Sequence, residues 1–380
     1  KKILIRLPKE NEEEIKATIE GLDLSNYTFD KYISKKDESN FEINLDIPDK
    51  YKKLLDETIK INTQVKFTRD LINENSEDMT PLALEKLAKE FAKKNKLKIK
   101  ILNEKEIQKE KLNLLWAVGK GSQFPPRLII LEYNGNPKSK EITALVGKGI
   151  TFDTGGINLK PSGFLEDMKC DMGGAATAFG TFRASVETKL KKNLILVMSC
   201  AENAISGKAY KPGDVFISHA NISVEIANTD AEGRLALADA LSYLQKKYKP
   251  TTIIDLATLT GASLVALGPS LIAMMGNDKS TMKQIFESGE KTFERVWELP
   301  IYDEHRDLMK SKIADIKNLG GKFGGCITAG AFLEKFIKEN IKWVHLDIAG
   351  AAYARKSDLY IPEFGTGRGV RLLVDYLKNN

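Results

Sequence analysis

Apolar and polar positions along the chain fall into two regimes. From Thr80 onward, short apolar runs alternate with stretches in which apolar residues recur every third or fourth position. RLIILEY (127–133), EITALV (141–146), NLILVMSC (193–200), TTIIDLA (251–257) and WVHLDIA (343–349) read as strands, so continuously apolar that both faces must be covered. Helical spacing covers 173–190, 232–247 and 329–340. Thr80 is placed to N-cap, Pro81 suits a first helical position, and Leu84, Leu87, Ala88 and Phe91 follow on one face, so a helix starts there. The alternation predicts an α/β architecture: a mostly parallel sheet covered by helices on both faces, with its site beyond the carboxyl ends of the strands. Lys148 is expected just past the 141–146 strand, and the Thr258–Ala262 loop just past the 251–257 strand.

The front of the chain is Lys- and Glu-rich. It carries a strand over Ile3–Leu7, a helix over Glu12–Ile19 and an alternating strand over Phe41–Ile47. These predict a small α/β N-terminal domain, residues 1–64, before a larger domain of residues 65–380; a chain of 380 residues is long enough for two cores. Leu256 to Gly276 carries no charge and is long enough to cross a bilayer. Its Thr258, Thr260, Gly261, Ser263, Gly268, Pro269 and Ser270 suit a buried strand followed by packed loops instead, so no membrane segment is expected.

Composition narrows the classes. Charged residues make up 29% and the AVILMFWYC set 42%, a folded globular balance. The net charge of +6 arises from 58 basic against 52 acidic residues interspersed throughout, which disfavours a nucleic-acid face. Cys170, Cys200 and Cys326 are odd in number and lack zinc-knuckle spacing, so a disulfide framework is not expected. The opening KKILIRLPKENEEE has too short an apolar run for an export signal, although a start at Lys1 leaves a removed leader open. A cytoplasmic location is expected.

Several chemistries lack their residues. His219, His305 and His345 are far apart and form no HExxH, and no G-x-S-x-G elbow or Walker A loop is present. Gly365, Gly367 and Gly369 read as a turn. What remains is a concentration of acids and cations in Gly147–Ala176 and Asn228–Leu241, with Gly147, Gly149, Gly155, Gly156, Gly173 and Gly174 allowing the backbone to turn tightly and approach a ligand. Asp153, Asp171, Asp230 and Glu232 carry four negative charges, matching two dications in an oxygen-rich site. For any single acid the commoner role is a solvated group, a cap or an ion pair; Asp171 could cap the next helix and Glu232 could favour a helix start. Only the set points to metals.

VGKGITFDTGGINLKP, MKCDMGGAA and NTDAEGRLALADAL resemble the three signature stretches of the leucyl aminopeptidase family, in the family's order and close to its spacing. FTRDLIN (67–73), VGKGSQFPPRLIILEY, ISGKAYKPGDV, TLTGA and HLDIAG extend the similarity from about Phe67 to the C-terminus. The resemblance implies a metalloaminopeptidase that hydrolyses leucine-like N-terminal residues from peptides through water activated by two metals. Lys148, Asp153, Asp171, Asp230 and Glu232 would ligate the pair, with Asp153 and Glu232 bridging. Zn²⁺ and/or Mn²⁺ are implied, with Mg²⁺ or Co²⁺ as alternatives. A lysine ligand must be deprotonated, which two adjacent dications would favour.

Lys160 and Arg234 would then be the catalytic cations. Lys160 would stabilise the oxyanion, and Arg234, in a first helical turn, would hold bicarbonate as the base for the attacking water. One metal would take the substrate's free α-amino group. Met168, Thr258, Gly261 and Ala349 would line the side-chain pocket, Ala352 would stand opposite, and the Leu259 carbonyl would accept from the peptide. A homohexamer is implied. The likeness weakens at the front: the family's N-terminal domain is usually longer, and ENSED (74–78) stands where proline is common. Read without the resemblance, a two-metal carboxylate site also suits a phosphoesterase, and the positive charge suits a non-enzymatic nucleic-acid-binding protein.

Overall fold

The computed structural model describes residues 2–6, 11–35 and 42–380. At the front, β1 (Lys2–Arg6) and β2 (Glu42–Asp46) pair in parallel, with α1 (Glu12–Ser25) extending further than the sequence pattern indicates. Ile15, Ile19 and Tyr51 form the small core of this part. Leu7 and Phe41, the outer ends of the two predicted strands, lie outside the described residues. Next comes α2 (Lys52–Asn73), a continuous helix of 22 residues that passes through 64 and 65 without a break.

Helix α3 (Pro81–Asn95) begins as its sequence dictates. Thr80 Oγ1 accepts the Ala83 N–H at 3.3 Å, Pro81 stands in the first turn, and Lys96 closes the far end in the left-handed region at φ 55°. The chain continues through β3 (Lys98–Leu102), α4 (Glu104–Lys109), α5 (Asn113–Gly119), β4 (Arg127–Asn134), β5 (Thr143–Asp153), α6 (Gly173–Glu187) and β6 (Asn193–Asn203). A small excursion, β7 (Val215–Ile217) and β8 (Ser223–Glu225), precedes α7 (Glu232–Tyr248) and β9 (Thr252–Ala257). Then follow α8 (Gly261–Leu267), β10 (Ile272–Gly276), α9 (Lys279–Thr292), β11 (Val296–Glu298), α10 (Asp303–Asp307) and β12 (Ile316–Lys317). The last elements are α11 (Gly325–Glu334), β13 (Lys342–Asp347), β14 (Tyr353–Ala354), β15 (Phe364–Gly365) and α12 (Val370–Asn379).

Eight strands form the main sheet in the order β11-β10-β13-β9-β5-β6-β4-β3. The central four, β13-β9-β5-β6, are parallel, as is β10-β11, while β10-β13, β6-β4 and β4-β3 are antiparallel. The parallel centre agrees with the sequence pattern; the antiparallel pairings are not legible there because hydrophobic periodicity carries no strand direction. Alternate residues feed two cores. Leu145, Leu196, Ile254 and Val344 face α3, α6, α9 and α12, whereas Val146, Val197, Ile253 and Trp343 face α5, α7 and α11. Each fully buried Leu or Ile contributes about 1.5–3 kcal/mol of apolar transfer, which is why runs apolar on both faces end in the middle of this sheet.

Three local expectations are corrected. Strand β5 runs to Asp153, so Lys148 lies inside the strand and not after the 141–146 run. Leu256–Gly276 contains the helix α8 and the strand β10 where loops were expected. The expected 329–340 helix is α11, which starts earlier and ends at Glu334. Among the described residues, no helix is long and apolar enough to cross a membrane.

Candidate active site

The carboxyl ends of the parallel strands gather the charged residues of the two acidic segments. Gly147 and Gly149 sit in β5 because α6 and β6 crowd it, not because the chain turns: a Cβ on Gly147 would lie 2.4 Å from Ala175 Cα of α6, and one on Gly149 3.0 Å from Cys200 Sγ of β6. The turn comes after the strand, where Gly155 (φ +86°) and Gly156 (φ +66°) take conformations that favour glycine. The loop they begin returns Lys160, whose N–H donates to Thr154 O at 3.0 Å.

That loop is fastened to the turn preceding α7. Thr229 Oγ1 donates to Gly155 O (2.6 Å), Asn158 N–H donates to Thr229 Oγ1 (2.8 Å), and Thr229 N–H donates to Asn158 Oδ1 (2.9 Å). Asn203, at the end of β6, donates from Nδ2 to Asp153 Oδ1 (2.8 Å) and to Thr229 O (3.1 Å). Asp171 arrives from a short 3₁₀ turn, Met168–Met172, directly before α6. Neither Asp171 nor Glu232 caps its helix. Both acids are therefore free for another use.

Asp153, Asp171 and Glu232 converge, each offering an oxygen within 4.8 Å of the others, and all three are buried. Lys148 Nζ lies 2.9 Å from Asp171 Oδ1 and 2.8 Å from Glu232 Oε1, and it donates to Thr258 O at 3.0 Å. Lys160 Nζ lies 2.8 Å from Asp153 Oδ2 and 2.5 Å from Asp230 Oδ1. Asp230 thus joins the cluster through Lys160, outside the tight group of three. Four acids face two lysines here, and Asp171 Oδ2 and Glu232 Oε2 find no hydrogen-bond partner among the described residues.

The titration equilibria reflect that imbalance. Burial, with Glu232 adding repulsion, pushes Asp153 up to about 6. Burial also raises Asp171 well above the ordinary range despite Lys148, and it raises Asp230. Burial opposes charge on Glu232 too, but Lys148 and Lys160 hold its carboxyl below the usual value. Both lysines are desolvated, yet Asp171, Glu232 and Asp153 around Lys148, and Asp153, Glu232 and Asp230 around Lys160, raise them above an ordinary lysine. A buried cluster with surplus acid and orphaned oxygens fits a dication, because carboxylate oxygens are suitable hard donors and each dication would offset two charges.

Arg234, buried in the first turn of α7, donates from Nη1 to Asn318 O at 3.0 Å while its Nε finds no hydrogen-bond partner among the described residues; burial lowers it to about 10. Thr258 donates from Oγ1 to Asp171 Oδ1 at 2.8 Å. A Cβ on Gly173 would lie 3.2 Å from Thr258 Cγ2 and 3.3 Å from Ala352 Cβ, so these two predicted pocket residues flank the start of α6. Met168 is half-buried at the head of its turn, Leu259 and Ala349 are half-buried, and Gly261, first in α8, is exposed.

Asn203, Thr229, Asn158 and Asn318 do not stand out in the sequence. They make no contact that composition or periodicity could reveal; Asn158, Thr229 and Asn203 lie inside or beside the motif stretches, and Asn318 carries no such signal. His219 pairs with Ser242, His305 accepts the Tyr302 N–H, and His345 pairs with Asp255 at 2.6 Å. All three cysteines are free and buried. Burial pushes the Cys170 thiol up to about 12.

Residues 66–374 match the catalytic domain of the cytosol aminopeptidase family. A probable cytosol aminopeptidase of Protochlamydia amoebophila is 43% identical, covering 100% of this chain and 78% of that protein. One from Geotalea uraniireducens is 45% identical over 96% of this chain and 75% of its own length. Among solved structures, the bottromycin maturation enzyme BotP in complex with Mn superposes with a TM-score of 0.91 at 31% identity, covering 99% of this chain and 83% of that one.

Proposed function

Since the chain belongs to the cytosol aminopeptidase family, a family of metal-dependent hydrolases, we propose that it removes leucine-like residues from peptide N-termini using two divalent metals. The observation that carries this reading is the pair of buried, unpartnered oxygens, Asp171 Oδ2 and Glu232 Oε2, in a cluster with more acid than base. Lys148, Asp153, Asp171, Asp230 and Glu232 would hold the metals. Lys148 would join as a neutral amine, its proton displaced by the stronger positive field. When bound, the pair supplies Lewis-acid polarisation of the scissile carbonyl and acidifies the attacking water.

The chain's own groups supply the rest. Lys160, fixed between Asp153 and Asp230, places a positive charge where the oxyanion develops. Arg234, whose Nε finds no hydrogen-bond partner among the described residues, would hold bicarbonate, which would supply a general base. The Leu259 carbonyl would accept an N–H of the peptide, while Met168, Thr258, Gly261, Ala349 and Ala352 shape the pocket for an apolar side chain. Restriction to free N-termini follows if the α-amino group is itself a ligand. The complex of BotP with Mn favours Mn²⁺ as the first metal to try, with Zn²⁺, Mg²⁺ and Co²⁺ beside it. A cytoplasmic homohexamer, with residues 1–64 as a non-catalytic unit beside the catalytic residues 65–380, completes the reading.

The test is hydrolysis by metal-stripped protein reloaded with each metal in turn. Leucine 4-nitroanilide should be cleaved, N-acetyl-leucine 4-nitroanilide spared, and a nitrophenyl phosphodiester left intact. Full activity without metal, equal rates on the blocked substrate, or preference for the phosphodiester would overturn it.

A further inference from the structure

Asp347 closes β13 at the same end of the sheet, is buried, and belongs to none of the groups above. Its Oδ1 accepts the Leu259 N–H (3.1 Å), the Thr260 N–H (3.4 Å) and the Ala349 N–H (3.1 Å). Its Oδ2 accepts Thr260 Oγ1–H at 2.7 Å and Cys326 Sγ–H at 3.5 Å. One carboxylate therefore ties the loop after β9 to the turn after β13. The same loop carries Thr258, whose carbonyl accepts from Lys148 Nζ at 3.0 Å and whose hydroxyl donates to Asp171 Oδ1 at 2.8 Å. The turn carries Ala349 and Ala352, and Ala352 N–H donates to Ile348 O at 2.8 Å.

A carboxylate is suited to this post because it accepts along several directions at once and donates nothing, whereas an amide that kept its oxygen on the three backbone N–H groups would turn an N–H₂ group toward the Thr260 hydroxyl and the Cys326 thiol, which now donate. We infer that Asp347 is a positioning residue that sets the loop of residues 258–260 against the turn of residues 348–352, fixing the width of the side-chain pocket and the aim of Lys148 and Asp171. The inference rests on the proposed peptidase reading for its pocket and on the hydrogen bonds alone for its effect on Lys148 and Asp171. Asp347 touches neither substrate nor metal in this scheme; it acts through Thr258, Leu259 and Ala349.

The experiment compares Asp347→Asn and Thr260→Val with the wild-type full chain. Three quantities are read: Mn²⁺ affinity of stripped protein by calorimetry, kcat and KM on leucine and alanine 4-nitroanilides, and Tm. Asp347→Asn should weaken Mn²⁺ binding roughly tenfold or more, as loss of an outer-shell partner does. It should also raise KM for the leucine substrate and shrink the leucine-to-alanine ratio of kcat/KM by about tenfold. Thr260→Val keeps the carboxylate and loses one of its donors, so it should move the same quantities in the same direction by less. A fall in Tm with Mn²⁺ affinity, KM and the substrate ratio unchanged would overturn the inference. If Asp347→Asn fails to fold, Thr260→Val decides by the same ratio and the same calorimetry. Wild-type protein that binds Mn²⁺ but cleaves neither substrate would overturn the peptidase reading, and Mn²⁺ affinity in the variants would still decide the role of Asp347.

Discussion

Two buried ionic clusters in this molecule invite comparison, one at the carboxyl ends of the sheet and one between α1, α2 and α12. In the second, Arg371 donates to Glu294 at 3.1 Å, to Glu20 at 2.7 Å and to Tyr360 at 2.5 Å. Arg69 donates to the carbonyls of Thr366, Leu24 and Tyr360 at 2.9, 2.8 and 3.1 Å. Glu294 Oε2 accepts the Gly369 and Leu372 N–H groups, both at 2.9 Å. Two arginines balance two glutamates, and every polar side-chain atom of these four residues that is buried has a partner. Burial opposes the charge on Arg371, but Glu294 and Glu20 outweigh it and raise its pKa. In the first cluster four acids meet two lysines, and Asp171 Oδ2 and Glu232 Oε2 have neither a hydrogen-bond partner nor an ion pair among the described residues. Burial and ion pairing are common to both. What separates them is completeness: a satisfied network joins elements, and an unsatisfied one awaits a ligand.

The largest expected effect breaks the comparison on the catalytic side. Lys160→Met should lower kcat on leucine 4-nitroanilide by about a hundredfold to a thousandfold, while metal content stays near that of wild type by elemental analysis. Lys148→Met should instead lose metal. The reverse pattern would exchange the roles of the two lysines.

The next effect falls on stability alone. Arg371→Met leaves Glu294 and Glu20 buried without their cation, so unfolding free energy should drop by about 3–5 kcal/mol in denaturant titration. Per folded molecule, kcat/KM should match wild type; a drop comparable to that of Lys160→Met would show that the two clusters are not separate.

Smaller again is metal removal. Stripping a metal present at a hundred times its Kd should cost about 2.7 kcal/mol, read as a lower Tm that recovers on adding Mn²⁺. The same chelation should leave the stability loss from Arg371→Met unchanged.

The smallest effect, reckoned per pH unit, comes from an isolated buried acid. Asp239 accepts the Leu114, Leu115 and His219 N–H groups at 2.7, 3.1 and 2.8 Å, yet burial pushes it up to about 7. Between about pH 4 and 7 the folded chain holds a proton that the unfolded chain has released, so stability should fall as pH rises through that window. The slope from this one group is at most about 1.4 kcal/mol per pH unit. Asp239→Asn should remove that slope in pH-resolved unfolding; an unaltered slope would place the proton elsewhere.

The parallel centre of the sheet is legible in the sequence because β5, β6, β9 and β13 are apolar on both faces and few other structures bury such runs. Helix α2 is not, because Thr58, Asn62, Gln64, Thr68, Arg69 and Asn73 lie on its buried face and break the apolar stripe. Gln64, Thr68, Arg69 and Asn73 pack by hydrogen bonding, Thr68 to Ala176 O and Gln64 to Glu187 among the contacts, whereas Asn62 finds no side-chain partner among the described residues. The charged members of the site stand out as motif residues. Asn203 does not, and Asp347, although inside HLDIAG, shows no task there: both hold other groups, and only a folded chain reveals what an amide or carboxylate at a strand end is holding.

The unbroken α2 has a practical bearing on how this protein could be dissected. At about 1.5 Å per residue it is a rod about 33 Å long, and residues on both sides of position 64 pack into the larger body, Ile61 against Ala184 and Val374 and Val65 against Val370. A truncation beginning at residue 65 would saw this rod through, leaving an apolar groove on α6 and α12 and a stub without its first turns. A cut ahead of Lys52 would spare the whole helix, so an expression library that scans start sites should show its step in soluble yield there and not at the compositional boundary.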